Sequence, residues 1–287
     1  MFVTILVSYQ VVSDSSHLNR ILTGNTKPKM MFLNIAVLGP LFALLLLIKM
    51  NYYFFIIFLV LYFLLKLCLK KFTDPMRVLK KLALIMLATV VVFGVRYVAD
   101  LYINGFDKDG KLAERQNTLA QPLYKDSTPL EQQHPYMQLK DRGVTIKEMF
   151  AQRNWGIISF GRAFGVYFFE PCAPDAYYRL ILLAVILFGL FLTISILRSR
   201  DAESIWLLCF VIVCSLIMTA ASFWASYTLG FQAHGRYLFP TFCMTGFLVL
   251  QALKALNKPI LNFFIIGMFI LSSYSFIFVG LLQLPKI

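Results

Sequence analysis

Apolar residues come in long unbroken runs along this chain, not in the alternation of a half-buried strand or the one-sided stripe of a soluble helix. The runs at 31–48, 52–69, 82–103, 180–197, 205–225, 237–256 and 260–282 each approach the roughly 20 residues that a helix needs to cross a bilayer core. Only Lys49, Met50 and Asn51 part the first two, which predicts a tight helical hairpin. Gly39-Pro40 predicts a kink in the first run, of a kind membrane helices tolerate when neighbours satisfy the freed carbonyl. Met1 to Val12 is apolar but too short to span, and no basic stretch precedes it as in a signal peptide. It is expected to be the tail of a helix, and the chain to be the C-terminal part of a longer membrane protein. The pattern as a whole predicts an all-α, polytopic transmembrane helix bundle of about seven spans. Its parts are an N-terminal segment with three spans (1–103), one long loop (104–179) and four more spans (180–287).

The long loop has its own pattern. From Asn104 to Arg153 it is polar, and over 104–140 it shows no strong period. It is therefore expected to lie as an irregular lid or arm on the mouth of the bundle, with helix resuming weakly at 144–153. Residues 154–171, N-W-G-I-I-S-F-G-R-A-F-G-V-Y-F-F-E-P, are apolar but too few to cross, with Arg162 in the middle. Such a stretch predicts a helix lying in the interface, or a re-entrant one that lines a substrate path. Gly161 and Gly165, four apart, would let a neighbouring helix come close.

Composition confirms the class. Hydrophobic residues make up 59% and aromatic residues 16% of the chain, against an apolar share of about 45–50% in soluble domains. The net charge of +13 would suggest nucleic acid only if it formed a basic face on a soluble domain. Here the basic residues flank apolar runs, so no nucleic-acid partner is expected and membrane lipid is. Lys70, Lys71, Arg77, Lys80 and Lys81 face a single Asp74 between the second and third runs, which places that loop in the cytoplasm. Alternation then puts 13–30, 198–204 and the Lys254–Lys258 turn inside as well. It leaves 104–179 and the Gln232–Arg236 turn on the outer face of the plasma membrane. Cys68, Cys172, Cys209, Cys214 and Cys243 have no metal-ligand or disulfide spacing, and neither a metal nor a cofactor is expected.

Candidate chemistry gathers in Gln232 to Pro240, Q-A-H-G-R-Y-L-F-P, where His234, Gly235, Arg236 and Tyr237 precede an apolar run. A helix start offers free N–H groups and the positive end of its dipole, and beside an arginine it suits a phosphate or carboxylate. Pro240 fits the first turn of such a helix. The simpler reading is that Arg236 and Tyr237 anchor the helix among lipid headgroups. Arg96 and Asp100 stand at i and i+4 within an apolar run, the spacing of an ion pair. Alternatively, Arg96 joins Arg236 around an anionic headgroup. No P-loop, HExxH, G-x-S-x-G or CxxC pair is present, and no residue is assigned a catalytic role.

Gly235-Arg236-Tyr237-Leu238-Phe239-Pro240 resembles the G-R-Y-hydrophobic-hydrophobic-P signature of a family of bacterial multi-spanning membrane proteins related to GT-C glycosyltransferases. Ser159-Phe160-Gly161-Arg162-Ala163-Phe164-Gly165 is similar to a serine-phenylalanine-glycine segment of that family, with Gly161 and Arg162 where Trp and Gly are usual. The Lys49–Tyr53 hairpin followed by a basic loop is similar too. The resemblance implies a membrane glycosyltransferase, or its C-terminal part, that binds a polyprenyl-phosphate-linked sugar at the outer face. Together with the charges read above, the residues expected to bind the substrate are Arg236, Tyr237, His234, Arg96 and Arg162. In GT-C enzymes generally the acidic residue comes from the first outer loop, which is expected to lie upstream of Met1. Asp107 and Asp109 lie in a different loop and take no such role. A transporter or flippase for a lipid-linked anion, or a non-catalytic subunit, would also carry outer arginines.

Overall fold

The computed structural model describes residues 39–47, 52–69, 75–125, 128–164, 166–167, 170–171 and 175–277. The Met1–Val12 stretch, residues 31–38 of the first run, the Lys49–Asn51 turn and Cys172 lie outside them, and Gly39-Pro40, where the kink is expected, opens the described helical stretch. Among the described residues the regular elements are helices apart from one two-residue antiparallel pair. After a helical stretch at 39–47 come α1 (Tyr53–Cys68), α2 (Pro75–Asn104), α3 (Lys108–Leu119), α4 (Ile146–Ala151) and α5 (Trp155–Ala163). β1 (Val166–Tyr167) pairs with β2 (Glu170–Pro171), and α6 (Asp175–Ser199), α7 (Ala202–Thr228), α8 (Phe239–Gln251) and α9 (Lys258–Tyr274) complete the order.

Among the described residues four helices are long and apolar enough to cross a membrane, over Leu82–Asn104, Asp175–Ser199, Ala202–Thr228 and Lys258–Ile277. α1 and α8 are apolar but shorter. The run expected at 237–256 is thus divided into a 3₁₀ turn over Gly235–Leu238, the 13-residue α8, and turns from Ala252. Turn and helix together reach about 28 Å, against a bilayer core of about 30 Å. Pro240 sits in the first turn of α8, where its missing N–H leaves no partner wanting.

The core explains why α8 is placed as it is. α1, α7 and α8 pack on one another, and α6 packs on both α7 and α9. At the centre the rings of Phe58 and Tyr62 meet Phe247 edge-on, with centroids 5.5 and 4.9 Å away, a geometry in which ring edges face ring faces favourably. Met244, Phe247 and Leu248 of α8 are fully buried. α2 stands at the other extreme, with 6% of its spanning stretch buried against 33% for α7. It approaches Gly39 closely: a Cβ there would stand 2.5 Å from the Ala88 methyl, and Thr89 Oγ1 donates to the Gly39 carbonyl at 3.2 Å.

Lys66 at the end of α1 forms a 2.6 Å ion pair with Glu203 at the start of α7. The loops after α1 and before α7 therefore share one end of the bundle, and the long loop and the Gly235–Leu238 turn occupy the other. Asp201 caps α7 by accepting from the Ser204 N–H and hydroxyl, which starts that helix cleanly.

The loop departs from the expected irregular lid in one respect, because Lys108–Leu119 is a helix. Its sequence, K-D-G-K-L-A-E-R-Q-N-T-L, is built mostly of residues with good helix propensity. Its described side chains are exposed, so it needed no apolar stripe to announce it. The remainder folds around Arg142. That guanidinium donates to the carbonyls of Met137 (2.9 Å), Gln133 (3.1 Å), His134 (3.4 Å) and Leu130. Helix does resume within 144–153 as α4, with a capping box between Thr145 and Glu148.

Candidate functional site

The site is assembled by a strap and a clasp. The strap is backbone: Gln138 and Lys140 N–H donate to the Leu229 and Tyr227 carbonyls, and Phe231 N–H donates to Tyr136 O at 2.7 Å. These bonds bind the loop to the chain leaving α7. Tyr227 Oη adds a 2.8 Å bond to Val144 O. The rings of Tyr124, His134, Tyr136 and Phe231 continue the junction as a row, at successive centroid distances of 5.1, 5.4 and 5.6 Å. Arg153 lies over the Tyr136 ring at 5.3 Å, a cation–π contact.

The clasp joins α5 to the Q-A-H-G-R-Y stretch. Arg162 Nη1 donates to the carbonyl of the fully buried Ala233 at 3.1 Å. Gly235 lies so close to α5 that an added Cβ would stand 2.0 Å from Ala163 N and 2.2 Å from Arg162 C. Both are backbone atoms, which cannot swing aside. The glycine is therefore required by proximity. Burial pushes the Arg162 guanidinium below its ordinary pKa range, because desolvation disfavours the charged form. A partly dehydrated cation of this kind attracts an anion more strongly than one in water.

Around the clasp the polar groups order one another. Ser226 Oγ donates to Gln232 O at 3.0 Å, and Tyr237 Oη donates to Gln232 Oε1 at 3.0 Å. The His234 and Tyr237 rings are 6.1 Å apart, and Tyr237 N–H donates back to His234 O at 3.2 Å. Tyr177 Oη, from the start of α6, donates to Phe164 O at 2.7 Å and fixes the exit of α5.

Of the residues named from the sequence, Arg162, His234 and Tyr237 are brought into this one assembly. Arg236 belongs to the same 3₁₀ turn, and its side chain lies outside the described residues. Arg96 does not join them. It forms a 3.5 Å ion pair with Asp100, as the i, i+4 spacing predicts. The cavity that it lines takes its walls, among the described residues, from 39–47, α1, α2 and the Gly105–Phe106 turn. Sequence reading gave Ser159 a place in a motif but no role, and gave Trp155 none. Ser159 Oγ and Trp155 Nε1 are buried and, among the described residues, have no hydrogen-bond partner. Ser159 precedes Arg162 by three positions and so shares the helix face that meets Gly235; that spacing was the available signal. Among the described residues no cluster of His, Cys, Asp or Glu is suited to a metal ion.

No protein-family model, curated protein or solved structure matches this chain.

Proposed function

We propose that this chain is a GT-C-like membrane glycosyltransferase, or the part of one that holds its donor, and that it binds a polyprenyl-phosphate-linked sugar for cell-envelope glycan assembly. The supporting observation is the Gly235–Arg162 clasp. It brings two motifs, distant in sequence, to the start of α8, which is buried at the centre of the bundle. A phosphate at that point would meet the cationic segment and the positive end of the helix dipole together. The sugar would lie towards His234 and Tyr237, and the polyprenyl chain among the apolar helices. In this reading α1 and α8 span the membrane alongside the four longer helices and the 31–48 run, giving seven spans. The loop-bearing end faces outward from the plasma membrane. No catalytic residue is assigned.

The test is binding of a polyprenyl-phosphate sugar by the purified wild type and Arg236→Lys. Lysine keeps the charge and loses the planar two-pronged donor. A phosphate grip therefore predicts a loss of about tenfold to a hundredfold in affinity, with folding intact. Equal affinities would return Arg236 to the role of an interface anchor, since both side chains snorkel.

A further inference from the structure

A further cavity, of about 560 Å³, opens where α8 gives way to α9. Because α8 starts at the clasp and ends at Gln251, the cavity lies at the opposite end of the bundle, with the Lys66–Glu203 pair. Its size falls in the range of small-molecule pockets, about 300–1,000 Å³. Its walls are Leu253, Lys254, Leu256, Lys258, Leu261 and Asn262. Leu256 and Leu261 are buried in the apolar core, and Leu253 is exposed beside them. Lys254, Lys258 and Asn262 are exposed. Asn262 follows Lys258 by four positions, on the same face of α9 and about 6 Å further into the spanning stretch Lys258–Ile277. From the rim inwards the cavity thus presents ammonium groups, then a carboxamide, with leucine side chains beneath. A phospholipid presents, in the same order, a phosphate, ester carbonyls and acyl chains.

The two lysines decide which phospholipid. Among the described residues neither has an ion-pair partner, and no acidic side chain lines the cavity. Basic residues at this end orient the chain in the membrane, but orientation does not require two of them on the rim of an apolar-floored cavity. A lysine ammonium is a compact charge that attracts phosphate. A choline or ethanolamine headgroup would bring its own cation against the lysines, with no carboxylate wall to receive it. An anionic headgroup brings none. The Asn262 amide has N–H groups to donate to an ester carbonyl. We infer that the cavity between α8 and α9 is a binding site for an anionic diacyl phospholipid, held at its phosphate by Lys254 and Lys258 and at its glycerol esters by Asn262. The site does not rest on the lipid-phosphate sugar reading, whose clasp is at the other end of the bundle.

The probe is native mass spectrometry of the full chain in detergent, with phosphatidylglycerol, phosphatidylethanolamine and phosphatidylcholine of matched acyl chains offered in turn. Wild type should retain phosphatidylglycerol over either zwitterionic lipid, by about fivefold for each lysine near the headgroup. Lys258→Gln should remove one such factor, and Lys254→Gln with Lys258→Gln should level the three lipids. Lys80→Gln takes an exposed charge from the same end of the bundle but from outside the cavity, and should leave the preference unchanged. Soluble glycerol phosphate should not displace the lipid, because it has no acyl chains for the leucine walls. Equal retention in wild type overturns the proposal. A preference that survives the double variant does so too, since it puts the lipid elsewhere. An equal fall in Lys80→Gln overturns it by making general charge the cause, and displacement by glycerol phosphate by making the site one for soluble anions. The wild-type series needs no variant to fold, so its outcome stands either way.

Discussion

At the scale of single residues, glycines separate most cleanly by what surrounds them. Gly235 has the backbone of α5 where a Cβ would be, whereas Gly246 in the middle of α8 has nothing within 4 Å. Gly235→Ala is therefore expected to lower stability by about 1–3 kcal/mol, the usual cost of overpacking, and to part α5 from the 233–237 stretch. Gly246→Ala should raise stability by up to about 1 kcal/mol, because alanine gives up less backbone freedom in a helix. Thermal unfolding of both variants in the same detergent checks the pair, and equal shifts would mean that the clasp is looser than its geometry. Sequence alone could mark Gly235 through its neighbours in G-R-Y. It could not supply the reason, since Arg162 and Ala163 are about seventy residues away and no local pattern records a close approach of that range. The Arg96–Asp100 pair was legible for the opposite reason: helical periodicity alone puts them side by side.

At the scale of elements, the loop was the hardest part to read. Its charges are nearly balanced and scattered, so Arg142 looked like any other basic residue beside Lys140 and Lys147. In the fold it is the post on which four carbonyls hang. Arg142→Ala should release the 130–134 turn and leave α7 unchanged. Hydrogen exchange across Leu130–Met137 would then rise steeply, since a hydrogen bond from a charged donor contributes about 1.5–3 kcal/mol. Unchanged protection there would mean that the strap holds the loop unaided. Thr145→Ala, which removes half of the capping box, should cost about 1 kcal/mol and loosen only α4. The four long helices were legible to within about five residues, because a long apolar run reads as a span. α1 and α8 are shorter than their runs, and the 3₁₀ turn before α8 follows from packing against α5.

At the scale of the whole molecule, the Lys66–Glu203 pair ties α1 to α7 with both side chains largely buried, at 18% and 13% exposure. Lys66→Met alone should destabilise the bundle by about 3–5 kcal/mol, because it leaves a buried carboxylate uncompensated. Lys66→Met with Glu203→Met should recover much of that loss, and a double variant as unstable as the single would mean that the pair itself carries the energy. The sidedness that basic loops predict has its own test. A cysteine placed in the 75–81 segment should be shielded from an impermeant thiol reagent in intact cells, and one at Thr128 should be labelled. The reverse pattern would invert the orientation and move the clasp to the inner face.

The strap also sets an order of assembly. Gln138 bonds to Leu229 and Lys140 to Tyr227, partners about ninety residues downstream that leave a ribosome some 5–20 s later at ordinary synthesis rates. Until α6 and α7 have been made and inserted, the loop has nothing to close upon. It is born in the middle of the chain and finished near its end. A helper that shields unpaired backbone would act in that interval, and slowing translation within α7 would lengthen it.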